Sequence, residues 1–165
     1  MAQNKANTLI IDNGSGYIKA GLARDYSPVV YPPWIAWPTE KAHYKDCYIG
    51  KSAQNRRDMP TKQAYQRGCI VDFVAMEKLW YFAAQKLHFE TEGQTILLTN
   101  TPLAPKHERE TTTQIMFETF HCGHFFLANQ ASMTLVASGR TTGVVVDSGD
   151  GITHVSRSEE HTSEL

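Results

Sequence analysis

Two short stretches carry the residue types from which a phosphate and metal site can be built. Ile10-Ile11-Asp12-Asn13-Gly14-Ser15-Gly16 and Val145-Val146-Asp147-Ser148-Gly149-Asp150-Gly151 share one form: apolar, apolar, Asp, x, Gly, x, Gly, with the two Asp residues 135 positions apart. Each copy sets a carboxylate at the end of an apolar strand. The glycines that follow allow successive backbone N–H groups to converge on one concavity, a nest for phosphate oxygens. Carboxylates beside such a nest suit a hard divalent cation that keeps its waters. Either copy alone is satisfied by a tight ligand-free hairpin. Both together, after apolar strands in one chain, match the demands of a polyphosphate bound as its metal complex. Neither copy has the full G-x-G-x-x-G that opens a Rossmann helix, and no Gly-Lys-Ser/Thr is present for a Walker A loop. Lys19, three positions beyond Gly16, can return its ammonium over the first turn or remain a solvated strand lysine.

The elements that must position these residues follow from periodicity. Thr8–Asp12 reads as a strand and Tyr17–Leu22 as its hairpin partner, because four intervening residues with two glycines are too few for a crossover. Pro28, Pro32, Pro33 and Pro38 make residues 27–38 an extended, irregular surface crossing. A polar stretch broken by Gly50 and Pro60 is expected as a small lobe over residues 39–68. Asp72 is placed to cap a helix running to residue 88, with Phe73, Met76, Leu79, Trp80, Ala83 and Leu87 on its inner face. Further elements are a strand at 95–99, a helix at 108–120, a strand at 125–129 and a helix at 130–138. Gly143–Asp147 is so apolar that a strand buried on both faces is expected. The alternation predicts an α/β fold entered by a hairpin.

Composition sets outer bounds. The 165 residues include 16 Lys+Arg and 17 Asp+Glu, a net charge of -1, with mean hydropathy -0.38. No basic excess points to nucleic acid or an anionic membrane. No apolar run reaches the ~18 residues of a membrane span, and the N-terminus has neither the basic region nor the cleavage site of a secretory signal. Three scattered cysteines fit a reducing compartment. His121, Cys122 and His124 lack a second ligand cluster and read as a turn rather than a metal site. Phe117, Phe120, Phe125 and Phe126 read as core. Trp34 and Trp37 are expected to pack inward rather than to form an exposed patch. The final residues, RSEEHTSEL from Arg157, resemble the translation of a common sequencing adapter, so the expectation is that 157–165 is an artefact and the chain stops where the read stopped.

Longer stretches carry a resemblance. LIIDNGSGYIKAGLARDYSP, IVDFVAMEKLW, LLTNTPLAPKHERETTTQIMFETF and ASGRTTGVVVDSGDGITH together resemble the N-terminal part of actins and actin-related proteins, from about Thr8 to Val155. The resemblance implies the actin-like ATPase (ribonuclease-H-like) α/β fold, here its N-terminal portion, with residues 1–38 and 69–156 in a first subdomain and 39–68 in a small peripheral one. It implies ATP or ADP as ligand with a water-coordinated Mg²⁺ or Ca²⁺ near Asp12, Gln130 and Asp147. Ser15, Gly16, Tyr17 and Lys19 would line the phosphates from one hairpin, and Gly149, Asp150, Gly151 and Ile152 from the other. Gln130 and His154, on their own a helix-start polar residue and a strand histidine, match the residues that position the attacking water. Ser138 to Thr142 would border a groove used by filament neighbours and actin-binding proteins.

The departures bear on partners. Only nine residues separate Pro38 from Tyr48, a shortened outer loop, and Arg24, Trp37 and Asn100 stand where actins have glycine, arginine and glutamate. Residues 58–61 and 65–67 diverge too, while the phosphate loops do not. The pattern implies retained nucleotide chemistry with changed partners, in a divergent member of the family. Two functions follow as expectations: a cytoplasmic, cytoskeletal ATPase whose complete form assembles into filaments with other actin-like subunits, or an actin-related scaffold subunit of a larger complex. Sugar kinases and Hsp70-type chaperones share the duplicated fold but not the QIMFETF or ASGRTTG stretches. No nucleic acid or membrane partner is expected. Because the family holds adenine and ribose mainly with its other half, the chain alone is expected to bind ATP no better than ~1 mM, or ~4 kcal/mol, and to show no ATPase activity.

Overall fold

A computed structural model describes residues 8–38 and 46–158; the shortened outer loop and the terminal residues 159–165 lie outside them. Its main sheet has five strands in the order β10-β9-β1-β2-β3. Strand β1 (Thr8–Asp12) pairs antiparallel with β2 (Ile18–Leu22), which pairs antiparallel with β3 (Val29–Tyr31). On its other side β1 runs parallel to β9 (Thr95–Asn100), and β9 parallel to β10 (His124–Asn129). The expected entry by a hairpin and the α/β class are both seen. Side-chain alternation drives it: Leu9, Ile11, Ile18 and Ala20 are buried on one face while Ile10 and Lys19 look away.

The crossover from the small lobe into β9 is made by α2 (Phe73–Lys86), whose Asp72 caps it by accepting from the Ala75 amide at 2.9 Å. Such a cap stabilises by about 1 kcal/mol. Met76, Leu79, Trp80 and Ala83 from this helix are fully buried against the sheet. Tyr31 joins the two layers by donating to the Leu79 carbonyl at 2.8 Å. Helix α3 (Lys106–Glu118) leads to β10, and its end buries Met116 and then Phe120, which stacks on Tyr81 with centroids 4.3 Å apart. Helix α4 (Gln130–Ala137) starts immediately after β10, capped by Asn129, and leads to a separate antiparallel hairpin of β11 (Gly143–Ser148) and β12 (Thr153–Ser158).

Three expectations need correction. Residues 27–38 are not an irregular surface crossing: they supply β3 and then β4 (Trp34–Ala36), and Tyr31, Pro32, Pro33, Ile35, Ala36 and Trp37 are buried. Pro32 and Pro33 occupy the step between the strands, where no ladder N–H is required. Strand β4 is the middle of a small sheet with β5 (Tyr48–Ile49) and β6 (Thr61–Gln63), beside the short helix α1 (Lys51–Gln54). Trp37 packs into the core, with the Lys62 ammonium 5.4 Å above its ring. Second, β11 is not buried on both faces. Val145 packs on Leu135 of α4, whereas Val144 and Val146 are about two-thirds exposed, because among the described residues the hairpin has a neighbour on one face only. Third, of the four phenylalanines only Phe120 is deeply buried; Phe117 and Phe126 are largely exposed. Arg157 and Ser158 continue β12 in register with Val144 and Gly143.

Candidate functional site

Parallel pairing of β1, β9 and β10 brings three strand carboxyl ends to one edge, the edge where open α/β sheets bind ligands. Asp12 stands at the end of β1. Its Oδ1 accepts from the Thr99 hydroxyl at 2.6 Å and from Gln130 Nε2 at 3.1 Å, and its Oδ2 pairs with the Lys19 ammonium at 3.1 Å. Thr99 is at the end of β9, and Gln130 is the first residue of α4. Gln130 Nε2 also donates to the Asn13 carbonyl at 2.9 Å and approaches the Thr99 hydroxyl at 3.3 Å. With Nε2 ringed by acceptors, the amide oxygen is the end left to accept from outside the network.

Asn13 anchors this edge from below. Its amide donates to the Thr99 hydroxyl at 3.1 Å, its Nδ2 to the Thr99 carbonyl at 3.3 Å, and its Oδ1 accepts from the Trp80 indole at 3.1 Å. A buried carboxamide so satisfied stabilises, whereas deleting one partner strands the others at about 1–3 kcal/mol each.

The second hairpin faces the first. Asp147 and His154 are cross-strand partners, the His154 Nε2 lying 3.8 Å from Asp147 Oδ2, beyond hydrogen-bond reach. The His154 side chain is only 8% exposed, and among the described residues neither ring nitrogen has a hydrogen-bond partner. Gly149 closes the turn by donating to the Ile152 carbonyl at 3.0 Å. Between the hairpins is a cleft of about 240 Å³ lined by Asp12, Asn13, Gly14, Ser15, Gly16, Tyr17, Lys19, Gln130, Asp147, Gly149, Asp150, Gly151, Ile152 and His154. All eleven residues expected at the phosphates and metal thus border one cavity.

The glycines act differently from expectation. None of Gly14, Gly16, Gly149 and Gly151 has positive φ, so these loops are not nests of alternating handedness. Their role is close approach. A Cβ on Gly14 would meet the Tyr17 carbonyl oxygen at 2.5 Å, one on Gly16 would meet the Asp150 Cβ at 3.0 Å, and one on Gly151 would overlap Ser15 Oγ. Lys19 does return over its turn, and there it neutralises Asp12.

A third element, which sequence reasoning did not connect to the cleft, wedges between the hairpins. Strands β7 (Tyr65–Gln66) and β8 (Cys69–Ile70) are joined by Arg67 and Gly68 with φ of 49° and 78°, as a two-residue type I′ turn requires. The Gly68 amide donates to Ser15 Oγ at 3.3 Å, and Gln63 Nε2 to the Ser15 carbonyl at 2.8 Å. Tyr65 and Thr101 hydroxyls both donate to the Gly68 carbonyl at 2.9 Å. Behind the turn, Glu108 of α3 is buried and accepts from the Ile70 amide at 3.1 Å. Burial pushes the Glu108 carboxyl above its ordinary range, the Ile70 bond working the other way. Burial likewise raises the Tyr65 phenol, followed by the charges of Glu108, Cys69 and Asp12. Asn13, Thr99, Thr101, Tyr65 and Gly68 were thus missed, although Thr99-Asn100-Thr101 after an apolar strand was a readable signal of a polar carboxyl edge.

Among the described residues no group of three or more His, Cys, Asp or Glu is arranged to hold a metal directly. Nor, among them, is any helix long and apolar enough to cross a membrane. The family model described as Actin matches residues 3–159. By that match over nearly its whole length, the chain belongs to the actin family.

Proposed function

We propose that the cleft binds the phosphates of ATP or ADP, with a divalent cation held through water, and that the complete protein is an actin-like cytoskeletal ATPase. The observation that carries this reading is His154, a buried imidazole with no hydrogen-bond partner at either nitrogen among the described residues, facing a cleft lined by two glycine loops. Leaving such a group unpaired costs about 1–3 kcal/mol, which a water or phosphate oxygen in the cleft would offset. The residues present fit the group. Ser15, Gly16 and Tyr17 on one loop and Asp150, Gly151 and Ile152 on the other leave amides outside the backbone bonds that close the turns, and these would cradle phosphate oxygens. Asp12, Asp147 and the Gln130 amide oxygen would hold the waters of Mg²⁺ or Ca²⁺, which supplies charge neutralisation for the phosphates. Lys19 would contribute a point charge after exchanging Asp12 for phosphate. In hydrolysis, Gln130 and His154 would hold the attacking water in line, a positioning role.

A cleft of about 240 Å³ is below the ~300 Å³ at which pockets begin to enclose a drug-sized ligand, so it suits phosphates rather than base and sugar. Titration calorimetry with Mg²⁺-triphosphate and Mg²⁺-ATP should therefore give similar, millimolar affinities for this chain, abolished in the Asp12→Asn/Asp147→Asn variant. Equal heats from the folded double variant would refute the site. A micromolar constant for ATP that triphosphate does not share would show that adenosine is also held here.

The short outer loop keeps an actin-related scaffold role as the second reading. A complete protein that binds ATP but never sediments with Mg²⁺ would favour it over filament assembly.

A further inference from the structure

We propose that the groove between β5, the start of α1 and the last turns of α2 is a docking site for an acidic, amphipathic segment of a partner protein. The groove has a volume of about 1200 Å³ against about 240 Å³ for the cleft, and its size suits a peptide better than a small molecule. Its floor is apolar. Tyr31 and Phe82 meet edge to face at 5.0 Å, and Tyr48 and Val30 continue the surface with substantial exposure. The Arg56 guanidinium stacks 3.6 Å over the Tyr48 ring and is itself paired with Asp58 at 2.9 Å, which fixes the ring's orientation.

The rim supplies the sign of the partner. Lys51, Lys86 and His88 border the groove, and among the described residues no Asp or Glu lines it, although acidic residues outnumber Lys and Arg in the chain. Among the described residues neither Lys51 nor Lys86 makes an ion pair, and the Lys86 ammonium stands 5.4 Å over the Phe82 ring, at the margin of the floor. Cations without an ion pair around the exposed Tyr48 and Val30 are complementary to carboxylates flanking apolar anchors, the arrangement of an acidic amphipathic peptide. The near-neutral chain lacks the broad basic surface with which nucleic acid is held.

Fluorescence anisotropy with the full chain tests this. The probe is a fluorescein-labelled peptide alternating Glu pairs with Leu and Phe. The controls are the same peptide with Lys for Glu, one with Ser for Leu and Phe, and oligouridylate. Saturable binding is expected for the acidic amphipathic peptide alone. It should weaken about tenfold or more in Lys51→Glu/Lys86→Glu, and also in the native chain when salt rises from 0.05 to 0.5 M, as screening of a rim charge demands (changes on the order of tenfold). Lys51→Glu alone, on an exposed site, gives an intermediate loss should the double variant fail to fold. Equal binding by the Lys peptide, unchanged binding in the folded variants, preference for oligouridylate, or no saturation by about 1 mM peptide each overturns the proposal.

Discussion

The two hairpins begin from one seven-residue pattern, apolar, apolar, Asp, x, Gly, x, Gly, and end in different mechanical states. The first is the middle of a five-stranded sheet, with Leu9, Ile11 and Ile18 buried and Asp12 held by Thr99, Gln130 and Lys19. The second is two strands with Val144, Val146 and Val155 about two-thirds exposed, and its Asp147 has only a long approach from His154. A local motif therefore specifies the carboxylate and the turn, while the layers around it decide how rigidly they are held. One side of the cleft is preorganised and the other is adaptable.

The largest expected effect breaks this comparison directly. Ile11→Ala should cost about 2–5 kcal/mol and Val146→Ala no more than about 0.5 kcal/mol, by urea unfolding. Similar losses would mean that the second hairpin is as firmly packed as the first. A smaller effect probes their contact. Gly151→Ala drives a methyl into Ser15 Oγ, whereas a Cβ on Gly149 meets only the Ile152 carbonyl oxygen at 3.6 Å. The first should destabilise by about 1–3 kcal/mol as an overpacked contact does, and the second should be near neutral. Matching melts for the two variants would show that the hairpins are not in contact in solution.

The smallest effect concerns the wedge between them. Because burial raises the Glu108 carboxyl, the native state favours its protonated form. That stability is present below the ordinary Glu value of about 4.5 and is lost as pH rises through the raised value. Glu108→Gln keeps an acceptor for the Ile70 amide and removes the titration. The wild-type melting temperature, measured relative to this variant, should therefore decline from pH 4.5 toward neutrality. A difference flat with pH would show that Glu108 is solvated.

Much of this architecture was legible where local rules and packing agree. Asp72 before an amphipathic run announced α2, and Asn13-Gly14 between two apolar stretches announced the β1–β2 hairpin. What escaped was decided by neighbours distant in the chain. Pro32 and Pro33 hid two strands because each proline falls where no donor is needed. Val144 and Val146 read as buried because apolar content cannot report that one face lacks a partner. Thr99-Asn100-Thr101 signalled a polar strand end, but not its role, because a threonine there becomes a site residue only once β1 lies beside it. The glycines were recognised, but for handedness rather than for space.

The range in sequence of the Asp12 contacts has a consequence for how the molecule forms. Asp12 meets Thr99 across 87 positions and Gln130 across 118, and Asn13 meets Trp80 across 67. Closing loops of this size defers such contacts until local helices and the early strands have formed, since the entropy of closure must be met before the bonds return it. During synthesis, the first hairpin leaves the ribosome with Lys19 as the sole partner of its carboxylate among those described, long before Thr99 and Gln130 exist. The polar edge is thus expected to be the last feature to order, so that Gln130 substitutions speed unfolding and leave the folding rate nearly unchanged.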